Sequence, residues 1–154
     1  MEKIERSNKY DWFWSSLDNY LDKHQLKQTK QRTQIIEQFI RLDTHIDAEM
    51  LYQHFNESGK KVGLATIYRT LTLLEQAKLV EQRSFADGRT LYELNTPNEH
   101  HDHLVCIECK KVIEFENQEI EDLQIKVAEK HGFKLTNHRL DLYGICTSCN
   151  KKLV

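Results

Sequence analysis

Apolar residues in the first half of the chain return every three or four positions. Phe13, Leu17, Tyr20, Leu21 and His24 share one face of a helix predicted from about Trp12 to His24. Ile35, Ile36, Phe39 and Ile40 mark a second helix, in QRTQIIEQFIRL. Leu51 and Phe55 mark a third from about Ala48 to Asn56, with Asp47 placed to cap it. The GKKVG stretch breaks the pattern, and ATIYRTLTLLEQA resumes it with Ile67, Leu71 and Leu74 on one face. LVEQRSF and RTLYEL next flank Ala86-Asp87-Gly88, a hairpin signal. Three or four helices followed by a hairpin is the order of a winged helix-turn-helix.

The only proline, Pro97, lies in the polar, turn-rich NTPNE, and the domain boundary is placed there. Beyond it, HLVCI and VIEF read as short strands. Gln118 to Lys130 reads as a helix carrying Ile120, Leu123 and Val127, and KLTNHRLDLYG as a longer strand. The expected fold class is therefore α+β: a winged-helix domain over residues 1–94, of which 1–12 are an N-terminal extension, a hinge over 95–99, and a small α/β domain over 100–154.

Composition adds a compartment and a charge map. The chain has 154 residues, 39% hydrophobic and 30% charged, a soluble globular balance. MEKIERSNK is no secretory leader and no apolar run approaches a membrane span, so a cytoplasmic home is the default and no membrane partner is expected. The net charge of −2 advertises no bulk field for nucleic acid. Its distribution does more. Lys23 to Ile36 holds four Lys/Arg and no acid, and Ser58 to Thr72 holds three and none. From Glu93 onward, eleven acidic residues face eight basic ones.

The candidate chemistry sits in that acidic half. The four cysteines form two C-x-x-C pairs, Cys106/Cys109 and Cys146/Cys149. In a reducing cytosol such pairs hold metal more often than they form structural disulfides. Thiolates favour zinc, and four of them close the site so that no water reacts there. The 36 residues between the pairs require two separate turns to converge around the intervening helix. The pattern predicts a structural zinc rather than ordinary buried or redox cysteines.

HHDHLVCIECKKVIEF, residues 100–115, adds hard donors to the same segment. On an extended backbone, alternation puts His101 with His103 and His100 with Asp102. Each pair can seed its own site with more distant ligands such as Glu93, Glu114, Glu121 and His138. Mixed imidazole–carboxylate ligation suits Fe, Mn, Co, Ni or Zn. The bland alternative is a solvated His-rich loop.

At these residues the sequence resembles the ferric uptake regulator family of bacterial metal-dependent transcription factors. The resemblance runs from about Leu26 to Cys149 and includes GLATIYRTL, LYEL, HHDHLVCIECKKVIEF, HGFKLTNH and LYGICTSC. It implies a winged-helix repressor that binds double-stranded DNA at AT-rich inverted repeats when metal is bound, working as a homodimer or a tetramer. By position it implies structural Zn2+ at Cys106, Cys109, Cys146 and Cys149. It implies a regulatory site at His45, Glu93, His101, His103 and Glu114, and a further metal site at His100, Asp102, Glu121 and His138. For DNA it implies a minor-groove Lys27, major-groove contacts from Tyr68 and Arg69, and phosphate-side positions at Arg32 and Thr66. The chain departs from the family in having Gln31 where proline is common, and in its N-terminal extension with Trp12 and Trp14.

The resemblance also ranks the signal. A peroxide sensor would carry aspartate where Glu93 and Glu114 stand, and a zinc-uptake regulator would place a cysteine in its regulatory site. Fe2+ is thus the expected regulatory metal, with Mn2+, Co2+ or Zn2+ able to substitute. A metal-dependent hydrolase is the reading from another class, but no H-E-x-x-H is present, nor an H-x-E with a downstream P-C-x-x-C. An enzyme would also leave the basic helix and the hairpin unexplained.

Overall fold

The computed structural model describes residues 8–42 and 45–151; the first seven residues of the expected N-terminal extension lie outside this range. The chain divides into two compact units, Met1–Pro97 and Asn98–Val154.

The first unit opens with a 3-10 turn, Asn8–Tyr10, running into α1 (Asp11–Lys23). It continues through α2 (Lys30–Leu42), α3 (Ala48–Glu57) and α4 (Leu64–Gln76) to the hairpin β1 (Val80–Ser84) and β2 (Thr90–Leu94). The helical periodicity becomes one core: Phe13, Leu17, Ile35, Ile36, Leu51, Ile67, Leu71 and Leu74 are fully buried. Tyr20 packs against this core and also stacks on His24, ring centroids 4.2 Å apart. Trp12 packs against the core and edge-on to Phe13 at 5.7 Å.

Local chemistry sets the element ends. Asp47 caps α3, its carboxylate accepting from the Met50 N–H at 2.7 Å. Gly59 takes φ +72 just after α3, a left-handed conformation that glycine adopts without steric cost. The exposed Lys60 and Lys61 follow, and the chain then enters α4 at Gly63. In the hairpin, Gly88 takes φ +85 and the Phe85 N–H donates to the Arg89 carbonyl at 2.8 Å.

The second unit holds β3 (Asp102–Cys106), β4 (Val112–Phe115), α5 (Gln118–Lys130), β5 (Asp141–Gly144) and a short α6 (Thr147–Asn150). β3 is central, antiparallel to β4 and parallel to β5. The long strand expected over KLTNHRLDLYG is corrected: only its last four residues, DLYG, form β5. A strand needs a partner for its backbone groups. β3 offers His103 to Cys106 as partners for Asp141 to Gly144, and no other neighbouring strand exists among the described residues. α5 forms over the expected residues, capped by Asn117, but buries none of them: Leu123 and Val127 are more than half exposed.

Candidate metal centres and nucleic-acid interface

Two turns bring the four cysteines together. Between Cys106 and Cys109 the backbone doubles back, with Lys110 at φ 66, its N–H donating to the Cys106 carbonyl, and the Cys106 N–H donating to Lys111. The first turn of α6 does the same for the second pair, the Cys149 N–H donating to the Cys146 carbonyl at 3.0 Å. The ladder between β3 and β5 then joins the turns, and one ligand atom from each cysteine lies within 4.8 Å of every other. Cys109 and Cys146 sulfurs are 3.7 Å apart. Four sulfurs at zinc-bond length around a tetrahedral ion would be separated by roughly 3.8 Å. The thiols are also electrostatically uneven. The N–H of Cys146 leads a set of backbone donors that lowers Cys106 to about 6. Hydrogen bonding with Cys146 chiefly pushes Cys149 up to about 12. One thiolate is thus ready at the centre of a group that a dication would complete.

A second group gathers His100, Asp102, Glu121 and His138, again with ligand atoms within 4.8 Å. Asp102 heads β3, Glu121 lies in the first turn of α5, and His138 comes from the extended segment before β5. His100 Nε2 is 3.2 Å from Asp102 Oδ1, and His138 Nε2 is 3.2 Å from Glu121 Oε1. The two imidazoles meet edge to face at 4.3 Å. Asp102 is 1% exposed, and its Oδ2 is buried without a hydrogen-bond partner. An unpaired carboxylate oxygen in such a place is costly, and a cation among two imidazoles and two carboxylates would satisfy it. The residues fit a divalent metal of the borderline or hard kind.

Four of the five remaining predicted ligands form two pairs, one in each unit. In the first, Ile46 bridges to Tyr92 of β2 through two backbone hydrogen bonds, which seats His45 beside Glu93. His45 Nε2 lies 2.5 Å from Glu93 Oε2, while Arg83 holds the other oxygen, Oε1, at 2.7 Å. In the second unit, His103 faces Glu114 in register across β3 and β4. His101 lies just upstream of β3, with its Nε2 3.4 Å from Glu99.

The first unit also exposes the predicted DNA contacts. α4 buries Ile67, Thr70, Leu71, Leu73 and Leu74 and leaves Tyr68 and Arg69 on its outer face. Arg32, Thr66 and Arg69 line one shallow cleft with Thr29, Lys30, Gln31 and Thr70, formed by the start of α2 against α4. Lys27 is exposed, and its carbonyl accepts from the Arg32 guanidinium at 2.6 Å. One participant was not legible in the sequence. Glu49, in the first turn of α3, accepts from the Tyr68 hydroxyl at 2.5 Å, and that bond raises the phenol above its usual range. The two residues are 19 positions apart, so only the packing of α3 on α4 reveals the pair.

A model of the ferric uptake regulator family matches residues 23–143. The ferric uptake regulation protein of Campylobacter jejuni is 44% identical over 146 residues, covering 93% of this chain and 92% of that protein. The Helicobacter pylori ferric uptake regulator, whose structure reveals three functional metal binding sites, superposes with a TM-score of 0.83 at 29% identity, over 97% of each chain. The Francisella tularensis ferric uptake regulator, solved with iron, gives a TM-score of 0.74 at 31% identity, over 81% of this chain and 95% of that one.

Proposed function

The chain belongs to the ferric uptake regulator family, and we infer that it is a metal-dependent transcriptional repressor of iron-uptake and iron-homeostasis genes. The observation that carries this reading is the sorting of donors by softness. All four sulfurs occupy one closed group, and imidazoles and carboxylates occupy another, although both draw on the same short strand. A closed set of four thiolates suits a permanent, structural zinc. An N/O set with no thiolate suits an exchangeable divalent ion, Fe2+ first and Mn2+, Co2+ or Zn2+ as substitutes. The whole complement of cysteines is four, so no thiolate is left for a second site.

The regulatory ion is assigned to His45 and Glu93 from the first unit together with His103 and Glu114 from the second, with His101 joining only by leaving Glu99. Each half supplies one imidazole and one carboxylate, too few for a stable site alone. A bound dication would supply the positive charge needed for Glu93 and Glu114 to serve one ion. His45 and Glu93 lie beside the wing and His103 and Glu114 on the second unit's sheet, so occupancy of this site would tie the orientation of the reading helix to metal supply. His100, Asp102, Glu121 and His138 form the further site, wholly inside the second unit.

The DNA partner is a double-stranded operator, an AT-rich inverted repeat, read by α4 in the major groove with Tyr68 and Arg69. Lys27, Arg32 and Thr66 serve the backbone and minor-groove side. An inverted repeat calls for a twofold partner. The exposed Leu123, Val127, Phe133, Leu142 and Ile145 of the second unit supply an apolar surface for a second copy. No helix among the described residues is long and apolar enough to cross a membrane, in keeping with a regulator that works in the cytoplasm.

The test is an anaerobic titration of operator binding by the zinc-loaded protein against each divalent metal. Iron and manganese should drive binding; operator affinity indifferent to every metal would end the sensing reading.

A further inference from the structure

His103 has a neighbour to which the family resemblance gives no role. β3 and β5 run parallel with His103 opposite Asp141, so the two side chains leave the sheet on the same face. Asp141 Oδ1 lies 3.3 Å from His103 Nδ1, an ion-pair approach in which Oδ1 makes no aligned hydrogen bond, and both side chains are at least nine-tenths buried. The other carboxylate oxygen, Oδ2, is held by Arg139, two residues back on the same face, through Nε at 2.7 Å and a terminal nitrogen at 2.6 Å.

We propose that Asp141, fixed by Arg139, is the positioning residue that prepares His103 to bind metal. The inference rests on the reading above that His103 is a regulatory ligand. A guanidinium carries donors only, so it claims Oδ2 as an acceptor and turns Oδ1 toward the imidazole. The carboxylate charge beside Nδ1 favours the ring proton there and leaves the lone pair on Nε2 free for a cation. Asp141 thus acts through His103, and Arg139 acts through Asp141.

The arrangement makes an unusual demand of a conservative change. In Asp141→Asn the amide has one acceptor and one donor end. Arg139 requires the acceptor, so the NH2 group must face His103 Nδ1 and drive the ring proton onto Nε2, the wrong tautomer for a ligand. Removing Arg139 as well frees the amide to rotate and present its oxygen to the ring.

The experiment is a direct titration with Mn2+ and with Co2+, by calorimetry and cobalt absorption and without DNA. It uses protein that retains its thiolate zinc, in a His138→Ala background so that the other nitrogen–oxygen group does not titrate. Asp141→Asn should weaken the site by about tenfold to a hundredfold, and Arg139→Ala added to it should recover most of that loss. A merely structural role predicts the reverse, with the double variant worse than the single. His103→Ala in the same series calibrates the result. If His103→Ala weakens the site and Asp141→Asn does not, the positioning role is wrong and the ligand assignment stands. If His103→Ala binds like its parent, the ligand assignment falls and the proposal with it. Nitrogen-15 chemical shifts of the His103 ring in unsubstituted, zinc-loaded protein give a check that needs no variant. A proton on Nδ1 is expected, and a proton on Nε2 would overturn the proposal.

Discussion

Tyr68 gives its phenolic hydrogen to Glu49, so the ring proposed to read DNA is held by the helix behind it rather than left to rotate in solvent. The pin also puts a carboxylate close to where a phosphate-rich partner would lie. Glu49→Ala should therefore raise affinity for unrelated DNA while reducing discrimination at the base under Tyr68 by about tenfold, within the ~1–3 kcal/mol of a good base contact. Replacing thymine by uracil in the operator isolates the methyl group. Protein with Glu49 should lose affinity on that replacement, and Glu49→Ala should lose less.

The same bond has a pH signature. The neutral phenol is the form that donates, and its pKa lies above the ordinary tyrosine value. The contact is thus complete below about pH 10 and is lost as pH rises through the raised value. Tyr92 is also raised, chiefly by its burial, so ultraviolet titration should find two late tyrosines, of which Tyr68→Phe removes one and Glu49→Ala returns one toward the ordinary range. Two late tyrosines that survive both changes would show that other residues carry the signal.

Arg69 and Lys27 should fail in different ways. Arg69→Ala should cost ~1–3 kcal/mol and relax preference at a single base pair, whereas Lys27→Ala should weaken all sequences alike and flatten the salt dependence by about one ion. Competition binding on single-base operator variants at two salt concentrations separates the two.

Zinc removal should cost the second unit its fold. Among its described residues the buried apolar core amounts to Val105 and Cys106, and α5 buries nothing. A unit so poor in its own core depends on metal, where structural zinc supplies on the order of 10 kcal/mol, and on a second copy. Cys149→Ser should lose zinc and dimerisation together while the helices of the first unit keep their melting behaviour. Sedimentation and calorimetry would report both, and a stable zinc-free dimer would contradict the assignment.

The two nitrogen–oxygen groups can be ranked. His103→Ala should leave zinc content and folding near the parent while moving metal-dependent operator binding to higher metal concentration. Asp102→Ala should do less. If Asp102→Ala is the more damaging change, sensing belongs to the His100, Asp102, Glu121 and His138 group.

The helices of the first unit were legible because their apolar positions serve a core made by neighbouring helices of the same unit, as with Ile67, Leu71 and Leu74. The cysteines were legible because C-x-x-C is a local turn whose geometry does not depend on the rest of the chain. β5 was overextended because alternation in KLTNHRLDLYG says nothing of how long the partner strand is, and β3 is short. α5 forms over the residues its periodicity marks, and Leu123 and Val127 face out of it in one chain, which periodicity alone does not tell. Glu49 and Asp141 escaped notice for a common reason. Each acts on a residue brought near by helix packing or strand register, and neither leaves a pattern in its own neighbourhood.

β3 carries Asp102 and His103 side by side on opposite faces and ends at Cys106, so the three proposed ligand sets all draw on its five residues. Since side chains alternate strictly along a strand, inserting or deleting one residue would hand each ligand to the wrong face. This stretch can therefore diverge only by exchange of one residue for another, never by change of length. Relatives that sense a different ion should differ here in letters while keeping the same count, and a library built to retune the sensor should hold that spacing fixed.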